Sequence, residues 1–225
     1  MNKLYIKSYL GLANLVFIIA LLLFLPVWSV YYWQAWLYIA TFTISVMWIT
    51  AYFLKHDTEL IKRRLKAGPA AENEKGQKII QSLASVAVIG IIIVSAFDHR
   101  FKLSEVSVVL TIVSNVFIYL GFYIVFLVFK ENSFTSAIIE VADSQKVIST
   151  GPYSTVRHPM YSGALLLFVF TPLALDSYFG LLLSVMLILV LVFRLQNEEA
   201  FLKTNLVGYT EYCEKVKYRL VPWIW

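Results

Sequence analysis

Long apolar runs alternate with short polar gaps along this chain. Residues 8–28, 33–54, 79–97 and 106–129 are almost free of charge, and each is long enough to cross a hydrocarbon core of roughly 30 Å as a helix. The gap at 29–32 permits only a tight helical hairpin. Around it, Pro26, Trp28, Tyr31, Tyr32, Trp33 and Trp36 form the aromatic belt expected at a membrane interface. A fifth apolar stretch, 159–195, is interrupted by TPLALDSYFG, where Pro172, Asp176 and Gly180 predict a turn. It reads as a hairpin of two helices, with Asp176 at the tip and placed to cap the second. The first arm is short for a full span, so it is expected to tilt or to enter only part of the way. Between these runs, 57–66 predicts a short surface helix and Gly68-Pro69 a turn. Residues 98–105 form a short polar link, and 130–158 a longer, moderately polar loop. The tail, 196–225, is polar and aromatic, with helix-compatible charges up to about Lys217. Asn115, mid-run, is expected to bond to another helix. The fold class is therefore all-α: a polytopic transmembrane helical protein of about six membrane segments, the last two a hairpin. Residues 1–130 form a four-helix membrane region and 131–225 the remainder of a single integral membrane domain.

Composition agrees with this pattern. Hydrophobic residues make up 60% and charged residues 15% of the 225, against about 25% charged in ordinary soluble domains. A soluble helical bundle would show amphipathic stripes with charged outer faces, and these runs do not. The first run is too long for the apolar core of a signal peptide and no small-residue cleavage site follows it, so it is expected to remain as an anchor. With the N-terminus inside and the runs alternating sides, seventeen of the nineteen basic residues fall on the inner side and only Arg100 and Lys102 outside. That asymmetry predicts cytoplasmic termini. The net charge of +5 then reports orientation rather than a nucleic-acid partner. Cys213 is the one cysteine, so no intramolecular disulfide can form. His56 and His99 fall on opposite sides, and no clustered Cys/His spacing points to a metal. Nothing in the pattern sets an oligomeric state.

One short segment stands apart. GPYSTVRHPMYSG, residues 151–163, packs Arg157, His158, two tyrosines and two prolines between apolar runs. Such groups at a membrane boundary cost solvation energy unless partners or a ligand satisfy them. Pro152 and Pro159 both disfavour helix at the residue before them, whereas Pro159 suits the first position of the helix that follows. His158 then stands at a helix entrance, where free backbone N–H groups attract an anion. Forty residues on come Glu198 and Glu199, preceded by Arg194. A hairpin of the last two segments brings this pair beside His158 and Tyr161, where adjacent carboxylates can bind a cation or the hydroxyls of a ribose. Arg194 and Glu198 are also spaced for a surface ion pair. A third cluster follows at Gly208, Tyr209 and Tyr212, then Tyr218 to Trp223.

ENSF at 131–134, the KVISTGPY approach, GPYSTVRHPMYSG, RLQNEEAFL at 194–202 and GYTEYCEKVKYRLVPWIW at 208–225 together resemble the isoprenylcysteine carboxyl methyltransferase family, which is related to the membrane phospholipid methyltransferases. The resemblance covers about 131–225; the first hundred residues match only as generic membrane helices. Membrane sterol reductases carry a similar RHPNYxGE run, but here Met160 replaces its Asn and Ala164 its Glu, which favours the methyltransferase branch. The resemblance implies S-adenosylmethionine as methyl donor in a cytoplasmic pocket within a methyltransferase-like cofactor-binding region, 131–225. Tyr153, Val156, Arg157, His158, Pro159, Tyr161 and Gly163 would form one wall, and Glu198 and Glu199 the other. By charge, His158 and nearby N–H groups would hold the donor carboxylate, and Glu198 or Glu199 its ammonium or ribose. Arg219 and Glu199 are the catalytic candidates, Arg219 orienting an acceptor carboxylate. No metal is implied. A carboxylate acceptor, ionised at neutral pH, needs no base; an amine acceptor must lose a proton, which a nearby carboxylate would assist. The expected activity is methyl transfer to a lipophilic acceptor drawn from the membrane lipids or a prenylated cysteine, with carboxyl O-methylation of an isoprenylcysteine-like substrate leading. N-methylation of a phospholipid amine, a nicotinamide-dependent membrane reductase and a non-catalytic membrane scaffold remain the alternatives.

Overall fold

The structure, a computed structural model, describes residues 3–72, 74–139 and 145–225. Residues 140–144, inside the expected loop at 130–158, lie outside the described residues. The described chain forms helices α1 (Lys3–Val27), α2 (Trp33–His56), α3 (Thr58–Arg64), α4 (Lys75–Phe101), α5 (Val108–Glu131), α6 (Pro159–Ala174), α7 (Gly180–Asn205) and α8 (Tyr209–Lys215), with 3₁₀ turns at Pro69–Ala71 and Gly151–Ser154. Five of them (α1, α2, α4, α5 and α7) are long and apolar enough to cross a membrane. This is a polytopic helical membrane protein, as the apolar runs predict. Each of the first four membrane helices overruns its apolar run at one end or both, because helical hydrogen bonding continues into polar flanks such as Lys3, Lys75 and Arg100; Arg100 Nη1 donates to Pro26 O. His99 accordingly lies in the last turn of α4 rather than in a loop.

Helix α5 packs most extensively on α6, and α4 on α7. The α5–α6 contact is close because Gly121 faces Gly163: a Cβ added at either would stand 2.9 Å from the other's carbonyl oxygen. The main core lies among α1, α2, α5 and the end of α6, around Leu23, Tyr32, Phe53, Ile118 and Leu175. Side chains such as Phe17, Ile44, Val109 and Phe193 point outward, as expected where lipid replaces water.

At one end of the bundle the hairpin turn is held by a buried polar cluster. Asp176 does not cap α7. Its Oδ1 accepts from the Val106 backbone N–H (2.8 Å), and its Oδ2 lies 2.8 Å from His99 Nδ1 and accepts from Gln34 Nε2 (3.2 Å). The start of α7 is instead capped from α4. Asp98 accepts from Phe179 N–H and from the Ser177 hydroxyl, while Ser177 Oγ accepts from Gly180 N–H. A sequence pattern ranks the nearest acidic residue as the cap, but here a tertiary carboxylate reaches the N–H groups first. Asn115 also departs from expectation: its amide donates to Thr111 O within α5.

Candidate functional site

At the opposite end, the segment before α6 is pinned to the tail by main-chain bonds. Arg157 N–H donates to Tyr218 O (2.9 Å) and His158 N–H to Arg219 O (3.0 Å). Gly151 adopts φ +56°, and its Cα approaches Glu131 so closely that an added Cβ would lie 2.7 Å from the carboxylate. Only glycine meets both demands. The Thr150 hydroxyl donates to the same carboxylate. Pro159 occupies the first turn of α6, and no side chain caps that helix.

Inside this frame the two neighbouring glutamates separate. Successive residues on a helix point about 100° apart, so the pair cannot act as one unit. Glu199 is 4% exposed and turns inward. Its Oε1 accepts from Arg157 Nε at 2.6 Å and lies 3.2 Å from His158 Nε2, and its Oε2 accepts from Arg219 Nε at 3.0 Å. Arg157 also donates to Val216 O and Lys217 O, and His158 Nε2 stands 3.3 Å from the Tyr209 hydroxyl. Arg219 lies over the Trp225 ring. Glu199 is thus the anion at the centre of a cationic cluster that ties α7, the 157–158 segment and the tail together.

Glu198 turns the other way, toward a cavity of about 510 Å³, and accepts from the Tyr161 hydroxyl at 2.7 Å. The size is typical of small-molecule sites. Its apolar lining includes Phe122 and Val125 of α5, Leu167 and Phe168 of α6 and Leu191 of α7. Its polar lining includes Arg64, Tyr153, Arg157, His158, Tyr161, Arg194, Glu198 and Tyr209. Of the residues expected from the sequence, Tyr153, Arg157, His158, Pro159, Tyr161 and Glu198 line it. Val156, Gly163, Glu199 and Arg219 do not. Val156 is buried behind the segment, Gly163 faces α5, and Glu199 and Arg219 belong to the cluster behind the wall.

Burial decides the protonation of the tyrosines here. It pushes the Tyr153 hydroxyl up to about 12 and those of Tyr209 and Tyr212 higher still, with neighbouring carboxylates adding to the shift. All three stay neutral donors at physiological pH. Asn132 Nδ2 donates to the Tyr153 oxygen (3.2 Å), and Tyr212 donates to Tyr153 O (2.7 Å). Burial also raises the Cys213 thiol.

Four residues take places that a reading of the sequence does not assign. Arg194 does not pair with Glu198. It donates to Glu72 (2.6 Å), Gln77 and Ala137 O, and nothing local announces a partner 122 residues away. Tyr209 and Tyr212 are buried in a small core with Leu206 and Val216. Arg64, one of several basic residues in an expected surface segment, stands in the cavity wall. Its signal was available: in a helix this short, Leu60 and Ile61 are its apolar face, and Arg64 follows Leu60 by one turn.

The phospholipid methyltransferase family model matches residues 109–206. That stretch takes in nearly all of α5, the 151–158 segment, α6 and α7, and stops short of Tyr209, Tyr212 and Arg219; Arg64 lies before it. No curated protein matches the chain.

Proposed function

We propose that this protein is an S-adenosylmethionine-dependent methyltransferase acting on a lipophilic acceptor, with its cavity on the cytoplasmic side. The observation that carries the reading is the cavity itself: a carboxylate, Glu198, bonded to Tyr161 in a cavity with apolar lining, built largely from the elements that the family model matches. A methionine-derived ligand fits that chemistry. Its ammonium needs an anion, its carboxylate a cation, its purine an apolar face and its ribose hydroxyls acceptors. Glu198, the cationic side chains on the wall and Phe122, Val125 and Phe168 offer these. When bound, the donor supplies a methyl group on a sulfonium, transferred by in-line displacement, for which alignment provides much of the rate.

The chain's own residues hold and orient. Glu198 takes the ammonium or ribose hydroxyls, and Tyr161 keeps its carboxylate aimed. Arg157, His158 and Arg219 converge on Glu199 and fix the wall; Glu199 and Arg219 are positioning residues in this reading. The apolar side, continuous with α5 and α6, admits the lipophilic acceptor from the bilayer. Carboxyl O-methylation, as on an isoprenylcysteine-like acid, is the leading reaction because both Glu199 oxygens are engaged, so no free base is needed or offered there, and the wall is richer in cations than in anions. Glu198 is the one observation favouring an amine acceptor, since a half-buried carboxylate beside the cavity could accept its proton.

The test is calorimetric titration of purified protein with S-adenosylmethionine and S-adenosylhomocysteine, followed by labelled methyl transfer to prenylcysteines, fatty acids and lipid amines. Binding of both compounds and transfer to the acids is expected. Absence of binding by either compound overturns the methyltransferase reading; transfer to amines alone overturns the carboxyl assignment.

A further inference from the structure

Among the described residues, Arg64 is a cation without a carboxylate. The guanidinium groups of Arg157 and Arg219 share Glu199, and Arg194 has Glu72. Among the described residues, Arg64 Nη1 donates to the Ser136 carbonyl alone (2.8 Å), and its guanidinium carbon lies 5.1 Å from the Phe129 ring centroid. No carboxylate among the described residues pairs with it. A guanidinium carries five N–H donors in a planar fork suited to a carboxylate or phosphate. One carbonyl and one aromatic face leave most of that fork unused, and it is on the cavity wall that Arg64 lies, with Tyr161 and Glu198. Burial disfavours its charge, and the pKa is lowered accordingly.

The side chain is also held in place. Asp57 Oδ1 accepts from Leu60 N–H to cap α3 (3.0 Å), Leu60 and Ile61 are buried in the main core, and Arg63 donates to Ser133 O. A surface arginine kept only for membrane orientation needs none of this anchoring. Lys146, which also lines the cavity, is exposed and solvated, so its charge requires no partner.

We infer that Arg64 is the anion-binding residue of this cavity, gripping a carboxylate or phosphate of the bound molecule while Glu198 takes the opposite charge. Resting on the proposed methyl-transfer reading, this anion is either the α-carboxylate of the donor or the acidic group of the acceptor. Arg64 lies outside the family-matched stretch, so the site joins the first membrane region to the second.

The experiment compares wild-type protein, Arg64→Gln and Arg64→Lys in two probe pairs: S-adenosylhomocysteine against its decarboxylated analogue, and a long-chain fatty acid against the alcohol of equal length. Melting in detergent checks that each variant is folded. In the wild type, the carboxylate-bearing member of at least one pair binds tenfold or more tighter. In Arg64→Gln that preference disappears while the member lacking a carboxylate binds as before, and Arg64→Lys retains part of it. Loss in the adenosyl pair assigns Arg64 to the donor, and loss in the lipid pair assigns it to the acceptor. A preference that survives Arg64→Gln, or none in the wild type, overturns the inference. If the wild type binds no adenosyl compound, the methyltransferase reading fails alone, because the lipid pair still reports on Arg64.

Discussion

Replacing Glu199 by alanine removes the central anion of the cluster. Arg157, 8% exposed, then keeps its bonds to Val216 O and Lys217 O but loses the only carboxylate among the described residues that pairs with it. His158 and Arg219 lose the same partner. Removing one member of a buried ion pair costs about 3–5 kcal/mol because the other charge is left uncompensated. For a chain of this size that is a fall in melting temperature on the order of 10 °C. Glu199→Gln keeps two acceptor lone pairs on one atom and should fall between. The assay is thermal melting of the detergent-purified variants beside Glu198→Ala, whose side chain is half-buried and bonded only to Tyr161 among the described side chains. The two alanine variants should separate: Glu199→Ala loses stability, while Glu198→Ala stays within about 2 °C of wild type. A Glu199→Ala protein that melts like the wild type, or a Glu198→Ala protein that melts as low as Glu199→Ala, refutes the division between a structural and a ligand-facing glutamate.

Other outcomes follow from the same geometry. Glu198→Gln should weaken S-adenosylhomocysteine binding about 10- to 100-fold, the equivalent of losing one charge-assisted hydrogen bond of roughly 1.5–3 kcal/mol, measured by calorimetry; unchanged affinity removes Glu198 from the donor site. Gly163→Ala should push α6 from α5, since its Cβ would meet the Gly121 carbonyl at 2.9 Å; overpacking of this kind costs about 1–3 kcal/mol, read as a lower melting temperature with weaker ligand binding. Because burial raises Tyr153, Tyr209 and Tyr212, the folded state holds their protons more tightly than the unfolded chain. Their contribution is fully present below the ordinary tyrosine value near 10 and is lost as pH rises toward 12 and beyond. Melting temperature should therefore be flat in these groups from pH 7 to about 10 and then fall, whereas a fall centred near pH 8 would contradict it. Burial likewise raises Cys213, so its alkylation by iodoacetamide at pH 8 should be severalfold slower than that of free cysteine, and a faster rate would place the thiol in a different environment.

The spans and the last hairpin were legible because long apolar runs leave the backbone no hydrogen-bonding option but helix. The composition of GPYSTVRHPMYSG marked the site for a similar reason: buried polar groups must find partners. What could not be read was the identity of those partners. Glu198 and Glu199 look equivalent in a string, but 100° of helical rotation sends one to the cavity and the other to two arginines and a histidine. Arg194 had a plausible neighbour four residues on, yet bonds Glu72. Asp176 sat where a cap belongs and instead bonds Val106 and Gln34. In each case a partner distant in sequence displaced a local one, because side chains without water must be satisfied by whatever the packed helices bring near.

The length of α6 explains why the cavity exists where it does. Asp176, just past the end of α6, bonds the Val106 N–H just before α5, so the two antiparallel helices are level at that end. At 1.5 Å per residue, the 16 residues of α6 rise ~24 Å and the 24 of α5 ~36 Å. Helix α6 therefore begins ~12 Å short of the other end of α5. The Gly121–Gly163 contact agrees, since both glycines lie eleven to thirteen residues from the level end. The shortfall leaves a recess beside Phe122 and Val125 that a full-length helix would fill, roofed by residues 132–139, 145–148 and the 209–212 turn. Glu198, eighteen residues into α7, rises ~27 Å from Gly180 and so arrives at the depth of His158 and Tyr161. A polar ligand can approach this recess from the bundle end and an apolar one from the side, past α5 and α6. Extending α6 by one turn at its start would close the recess and pull Arg157 and His158 away from Glu199. Such an insertion should abolish ligand binding while leaving the buried cluster of Asp98, His99 and Asp176 at the far end intact.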